Sequence, residues 1–167
     1  MKSYLWLLVL CCLAVACAKA PTNDSGGEPR PINSVDVVKA KPQEVTIAPG
    51  ESGELPVTLQ IASGYHVNAN PPSFSYLKAT ELELTPAEGI SVDWIKYPDP
   101  LVKSFPFAEK PLAVYEGEAV LKARLKADKA AKSGRHNLSA KLRVQACDDK
   151  VCYAPGTLDV LVPVNIK

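Results

Sequence analysis

Across the region from about residue 35 to residue 166, aliphatic side chains take every second position in short runs, and clusters rich in Gly and Pro cut the runs apart. Leu55, Val57, Leu59 and Ile61 alternate with Pro56, Thr58, Gln60 and Ala62. Leu82 and Leu84 alternate with glutamates; Ile90, Val92 and Trp94 alternate with Ser91 and Asp93; Val120 and Leu121 lie in a run ending at Leu125. Leu138, Ala140, Leu142, Val144 and Ala146 form another run, and Leu158, Val160, Val162, Val164 and Ile166 close the chain. A period of two sends successive side chains to opposite faces, so each run has one face to bury and one to leave in water. The separators APGESGE, PAEG, PDP, YEGE, KSGRHN and YAPG carry turn chemistry. With 15 prolines in 167 residues the chain is no helical bundle. Only DKAAK, residues 128–132, hints at a helical turn. The expectation is an all-β chain, an immunoglobulin-like β-sandwich of about seven to nine antiparallel strands, without the Cys…Trp…Cys core of antibody domains.

The first residues, MKSYLWLLVLCCLAVAC, differ from all of this. One positive residue, Lys2, precedes an apolar stretch and then small residues before Cys17, the layout of a secretory signal peptide. Leu13-Ala14-Val15-Ala16-Cys17 resembles a lipobox, in which cleavage falls before a cysteine that then carries lipid. The expected organisation is a lipoprotein-type signal peptide over 1–16, lipidated Cys17 with a flexible tether over 17–33, and the sandwich domain over 34–167. The tether reading rests on AKAPTNDSGGEPRPIN, too polar and too rich in Pro and Gly to order itself. No later apolar run can span a membrane, so attachment would come through lipid alone. Of 19 basic residues, losing Lys2 leaves 18 against 18 acidic ones. A formally neutral chain without a basic stripe excludes nucleic acid as a partner.

If Cys11 and Cys12 leave with the signal peptide and lipid occupies Cys17, then Cys147 and Cys152, in VQACDDKVCYAP, are the remaining pair. An exported pair five positions apart is expected to be a disulfide. Alternation assigns Leu142, Val144 and Ala146 to the buried face, which puts Cys147 on the opposite face at the rim, with at least one sulfur accessible. A staple over so short a loop stabilises by roughly 2 kcal/mol, the low end for disulfides. That mildly favours a working pair over a structural one. Metal binding lacks ligands: only His66 and His136 are available, and zinc knuckles favour C-x2-C. His66 reads as a strand or loop residue and His136 as solvated. Cysteine hydrolysis needs a free thiolate beside a histidine, which a second cysteine would quench. Asp148 and Asp149 oppose a thiolate at Cys147, Lys150 only partly offsets them, and no helix N-terminus helps, so the pair should be a sluggish nucleophile on its own.

Residues 97–111, YPDPLVKSFPFAEKP, hold four prolines and two exposed-looking rings, Phe105 and Phe107. Such a loop is either a functional element or a seal over one end of the core.

Taken in order, GYHVNANPPS, TELELTP, KYPDP, KSFPFAEKPLAVYEGEA and above all VQACDDKVCYAP resemble the N-terminal periplasmic domain of DsbD, the thiol:disulfide interchange protein. The resemblance runs over roughly residues 35–167. It implies an immunoglobulin-like sandwich with a redox pair at one end and no cofactor. Cys147 and Cys152 would be the active cysteines, passing reducing equivalents to or from thioredoxin-like periplasmic proteins. It points to Cys152 as the sulfur of the mixed disulfide, a choice the residues alone leave open. An aromatic cap loop covers the disulfide in that family, and 103–110 holds the equivalent place, so Phe105 or Phe107 would be the shielding ring. DsbD continues into a membrane electron carrier and a thioredoxin-like domain. Neither follows here, so the expectation is a stand-alone, lipid-tethered version served by a separate membrane carrier in the periplasm of a Gram-negative bacterium. The alternative is a non-catalytic lipoprotein binding module whose disulfide holds a hairpin; a metal-handling role ranks below it.

Overall fold

The structure, a computed structural model, describes residues 32–87 and 89–167. The signal peptide, Cys17 and nearly all of the tether lie outside these residues.

Two four-stranded sheets make the body. One has the order β1 (Val38–Pro42), β3 (Ser52–Ile61), β9 (Glu118–Ala127), β6 (Ile90–Lys96). The other has the order β2 (Val45–Ile47), β12 (Gly156–Ile166), β10 (Gly134–Val144), β5 (Glu81–Leu84). The expected alternation holds along β3, where Leu55, Val57 and Leu59 are buried, and along β10, where Leu138, Ala140, Leu142 and Val144 are. These residues join Leu121, Ala123 and Leu125 of β9 and Val160, Val162, Val164 and Ile166 of β12 in one core. Each strand leaves its polar face in water, and the two apolar faces cover each other, as a β-sandwich requires. The fold is the expected all-β, immunoglobulin-like one.

A third sheet, in the order β11 (Ala146–Cys147), β4 (His66–Asn68), β8 (Leu112–Tyr115), β7 (Leu101–Lys103), continues the molecule beyond the ends of β10 and β9. Its four strands more than make up the excess over nine: twelve are present among the described residues. Strands of two to four residues are too short to display a period, which is why alternation did not reveal them. Not every pair is antiparallel either, since β2 runs parallel to β12. Alternation reports which face is buried and is silent on strand direction.

DKAAK makes the single turn at which it hints, closed by Ala131 N–H to Asp128 O at 3.0 Å, and links β9 to β10. Two local expectations are corrected. Trp94 does not continue the face of Ile90 and Val92, because the register shifts between Val92 and Trp94. A bulge of this kind flips the following residues, so Ile95 packs on the core and Trp94 is exposed. Residues Ser34–Val37, at the expected start of the first alternating run, form a 3-10 helix instead.

Candidate functional site

β10 leaves the second sheet at Val144, and after one residue, Gln145, the chain re-enters as β11 in the third sheet. This change of sheet breaks the alternation. Ala146 and Cys147 are both fully buried. Cys147 therefore does not lie on the solvent face that unbroken alternation assigned to it. It pairs with His66 across the β11–β4 ladder.

Cys147 and Cys152 are joined in a disulfide across a five-residue separation, with Cα atoms 3.9 Å apart. They are direct partners in an antiparallel bridge, so the bond closes a tight hairpin rather than tying distant strands. Cys152 is half-buried, which leaves it the more accessible of the two sulfurs.

The acidic turn holds the hairpin in shape. Asp148 Oδ1 accepts from the amides of Lys150 at 2.7 Å and Val151 at 2.8 Å. Asp148 Oδ2 accepts from the Tyr153 hydroxyl at 2.6 Å. The Tyr153 bond, followed by the two amide bonds, holds the Asp148 carboxyl below the usual carboxylate range. The same carboxylate pushes the Tyr153 phenol up to about 12. Asp148 is thus more than a charge opposing a thiolate: it caps the turn, as a short acceptor side chain does when it bonds its own backbone two or three residues on.

Residues that the motif alone did not mark fasten the hairpin to the body. Ser34, fully buried in the 3-10 helix, donates its hydroxyl to Ala154 O at 2.6 Å and accepts from Ala146 N at 2.9 Å. One side chain so grips both arms. Gln145 Oε1 accepts from Lys78 N at 2.7 Å and Asn68 Nδ2 at 3.0 Å, and its Nε2 donates to Tyr153 O at 3.2 Å. The exit passes close under the helix: a Cβ on Gly156 would meet Val35 Cγ1 at 2.6 Å.

The proline-rich loop covers this end. Phe105 is not exposed. It is 6% accessible and roots in a second apolar cluster with Leu77, Leu112 and Val114. Its ring stacks on His66 at 4.0 Å between centroids and 18° between planes. Phe107 stacks on Phe105 at 5.5 Å between centroids and is 37% accessible. It lines a groove with Phe74, Tyr76, Val151 and Cys152. The two rings therefore divide the site: Phe105 lies over the His66 side and Phe107 over the Cys152 side. Lys103, paired with Glu116 at 2.7 Å, anchors the start of the loop.

His66 is the residue that sequence reasoning underrated. It is 2% accessible, and burial first of all holds its imidazole below the ordinary value of 6.5. Its adjacency to Cys147 depends on strand pairing over eighty positions of chain, which no local spacing reveals. His136 lies toward the other end of β10, 2.8 Å from Lys132 O through Nε2. No group of three or more His, Cys, Asp or Glu that could hold a metal occurs among the described residues.

A family model described as "Thiol:disulfide interchange protein DsbD, N-terminal" matches residues 34–163. The N-terminal periplasmic domain of ScsB from Proteus mirabilis is similar in fold, with a TM-score of 0.54 and 18% identity over 78% of this chain and 47% of that one. The DsbD N-terminal domain of Neisseria meningitidis in its reduced form matches at 20% identity and a TM-score of 0.44, over 66% of this chain and 77% of that one. No curated protein matches the chain.

Proposed function

The chain belongs to the family of the N-terminal domain of thiol:disulfide interchange protein DsbD, and from that premise we propose that its Cys147–Cys152 disulfide relays reducing equivalents by exchange with thioredoxin-like periplasmic proteins. Thiol–disulfide exchange in general is the chemistry of this family. One observation carries the specific assignment: a disulfide closed across a short hairpin at the end of the sandwich, its outer sulfur half-buried beside an aromatic loop.

The reaction follows from the burial of the two sulfurs. A partner thiolate attacks Cys152 Sγ, and the electron pair of the S–S bond leaves on Cys147 Sγ. The mixed disulfide is resolved by the partner's second thiol, which oxidises the partner to its own disulfide and frees Cys152. Run in reverse, the dithiol form reduces an oxidised partner. Phe107 and Phe105 shield the bond from small thiols and give way to a docking surface. The chain acts as a protein thiol-disulfide oxidoreductase, reduced by a separate membrane electron carrier. It works in the periplasm, with residues 1–16 as signal peptide, lipid on Cys17, a tether to residue 33 and the domain from 34 to 167. The DsbD-family match to residues 34–163 supports the domain boundary; no helix among the described residues is long and apolar enough to cross a membrane.

The reduction potential of the pair tests this reading. It is obtained by equilibration in graded thiol/disulfide buffers, alkylation, and mass analysis of the hairpin peptide. A value of about −120 to −270 mV is expected of an exchange protein. A value below about −300 mV marks a staple that partners do not open, and the reading falls.

A further inference from the structure

His66 sits on the same face of the third sheet as Cys147, directly opposite it in an antiparallel pair. That position puts the two Cβ atoms about 4.5–5.5 Å apart. The ring is 2% accessible, yet Nε2 has no hydrogen-bond partner among the described residues. An unpaired polar atom is costly in a folded interior and recurs where a site has work for it. Phe105, stacked flat on the ring, fixes its plane and excludes water from one side. Every other charge facing the imidazole is occupied or of the wrong sign for holding a thiolate. Lys103, at the end of β7, is paired with Glu116, which follows β8. Asp148 and Asp149, in the hairpin turn, are acidic.

We infer that His66 is the acid–base group of this disulfide: Nε2 takes the proton of the Cys147 thiol when that sulfur attacks, and returns it when that sulfur is expelled. The inference rests on the exchange reading above and supplies its missing proton. In the opening direction a partner thiol loses a proton to solvent and its thiolate bonds to Cys152 Sγ. The S–S bond breaks, Cys147 Sγ leaves with the electron pair, and the imidazole, neutral at rest, takes up a proton from solvent at Nε2 and passes it to that sulfur, which replaces the proton the partner lost. In the closing direction the neutral imidazole accepts the Cys147 proton as Cys147 Sγ displaces the partner from Cys152. Burial weakens the ring's hold on a proton and so keeps it neutral until a thiolate forms beside it. A site with two acids in its turn thereby acquires an internal base, and the pair is not sluggish on its own account.

The test is the pH dependence of opening by dithiothreitol in the full chain, read by alkylation and the mass of the hairpin peptide, for wild type, His66→Gln and His66→Phe. Both variants should close the disulfide and open it about a hundredfold more slowly near neutral pH, with the wild-type inflection missing from their profiles. A ring that merely packs under Phe105 would be replaced by Phe without change, so an unaltered rate and profile in His66→Phe overturns the inference. If the variants misfold, the wild type decides by NMR. The His66 ring should titrate at higher pH in the reduced protein than in the oxidised one; identical His66 titrations overturn it. A potential too low for exchange together with an intact pH inflection would sink the exchange reading and leave the base in place.

Discussion

β3 and β9 pair over nine residues and β10 and β12 over eleven, and the face they share is aliphatic. At the cysteine end, β4, β7, β8 and β11 run two to four residues each. The side chains buried there differ as well. All four buried polar residues among those described, Ser34, His66, Asn68 and Thr80, belong to that end. Each but His66 is tied by side-chain bonds: Ser34 to both hairpin arms, Asn68 to Gln145 and Lys78, Thr80 Oγ1 to Asn68 O at 2.7 Å. The body takes its order from buried area, which is large and tolerant of detail. The end takes its order from a few directional bonds, which fix positions to fractions of an ångström and contribute less stability each. A sulfur that must be held in place and also reached by a partner belongs in the second kind of region, where local opening is cheap.

That division can be broken from either side. The largest effect should come from Leu121→Ala in the fully buried heart of β9. It should cost about 2–5 kcal/mol in urea unfolding, with the reduction potential of the hairpin nearly unchanged. A large shift in potential would show that body and end are not separable. Phe105→Ala should act on chemistry instead. Removing one stacked ring frees roughly 0.5–1.5 kcal/mol of cap contact, so dithiothreitol should open the disulfide up to about tenfold faster. An unchanged rate would move the shielding role to Phe107. The smallest effect is expected from acid. Burial lowers the His66 value in the folded protein below 6.5, so the unfolded chain binds the extra proton first. Stability should then rise with pH through the window just below 6.5 and fall as the solution is acidified across it. Thermal unfolding at a series of pH values would show that slope, and His66→Gln should flatten it.

Much of the body was readable from the chain. A period of two over ten residues is a strong signal because a slip by one position would exchange the buried and solvated faces. Leu55, Val57 and Leu59, like Leu138, Ala140 and Leu142, therefore announced their own burial. The hairpin was readable as chemistry, since two cysteines five apart meet easily. Its orientation was not. Cys147 looked solvent-facing because Ala146 looked like the next step of β10, and nothing local says that Gln145 carries the chain from one sheet into another. Trp94 misled in the same manner, through a bulge. His66 and Ser34 had no local signal at all: each lies far along the chain from the cysteines.

The sequence by itself determined that the chain is a sandwich of short strands, that Cys147 and Cys152 close on each other, and that an aromatic, proline-rich loop accompanies them. These follow from periodicity and short spacing, which act between near neighbours. Only the tertiary structure decided that Cys147 is the buried sulfur and Cys152 the reachable one, that Phe105 covers a histidine, and that this histidine stands opposite Cys147. Those facts depend on which strands pair and in what register, and register is set by the packing of the whole core rather than by any stretch of the chain.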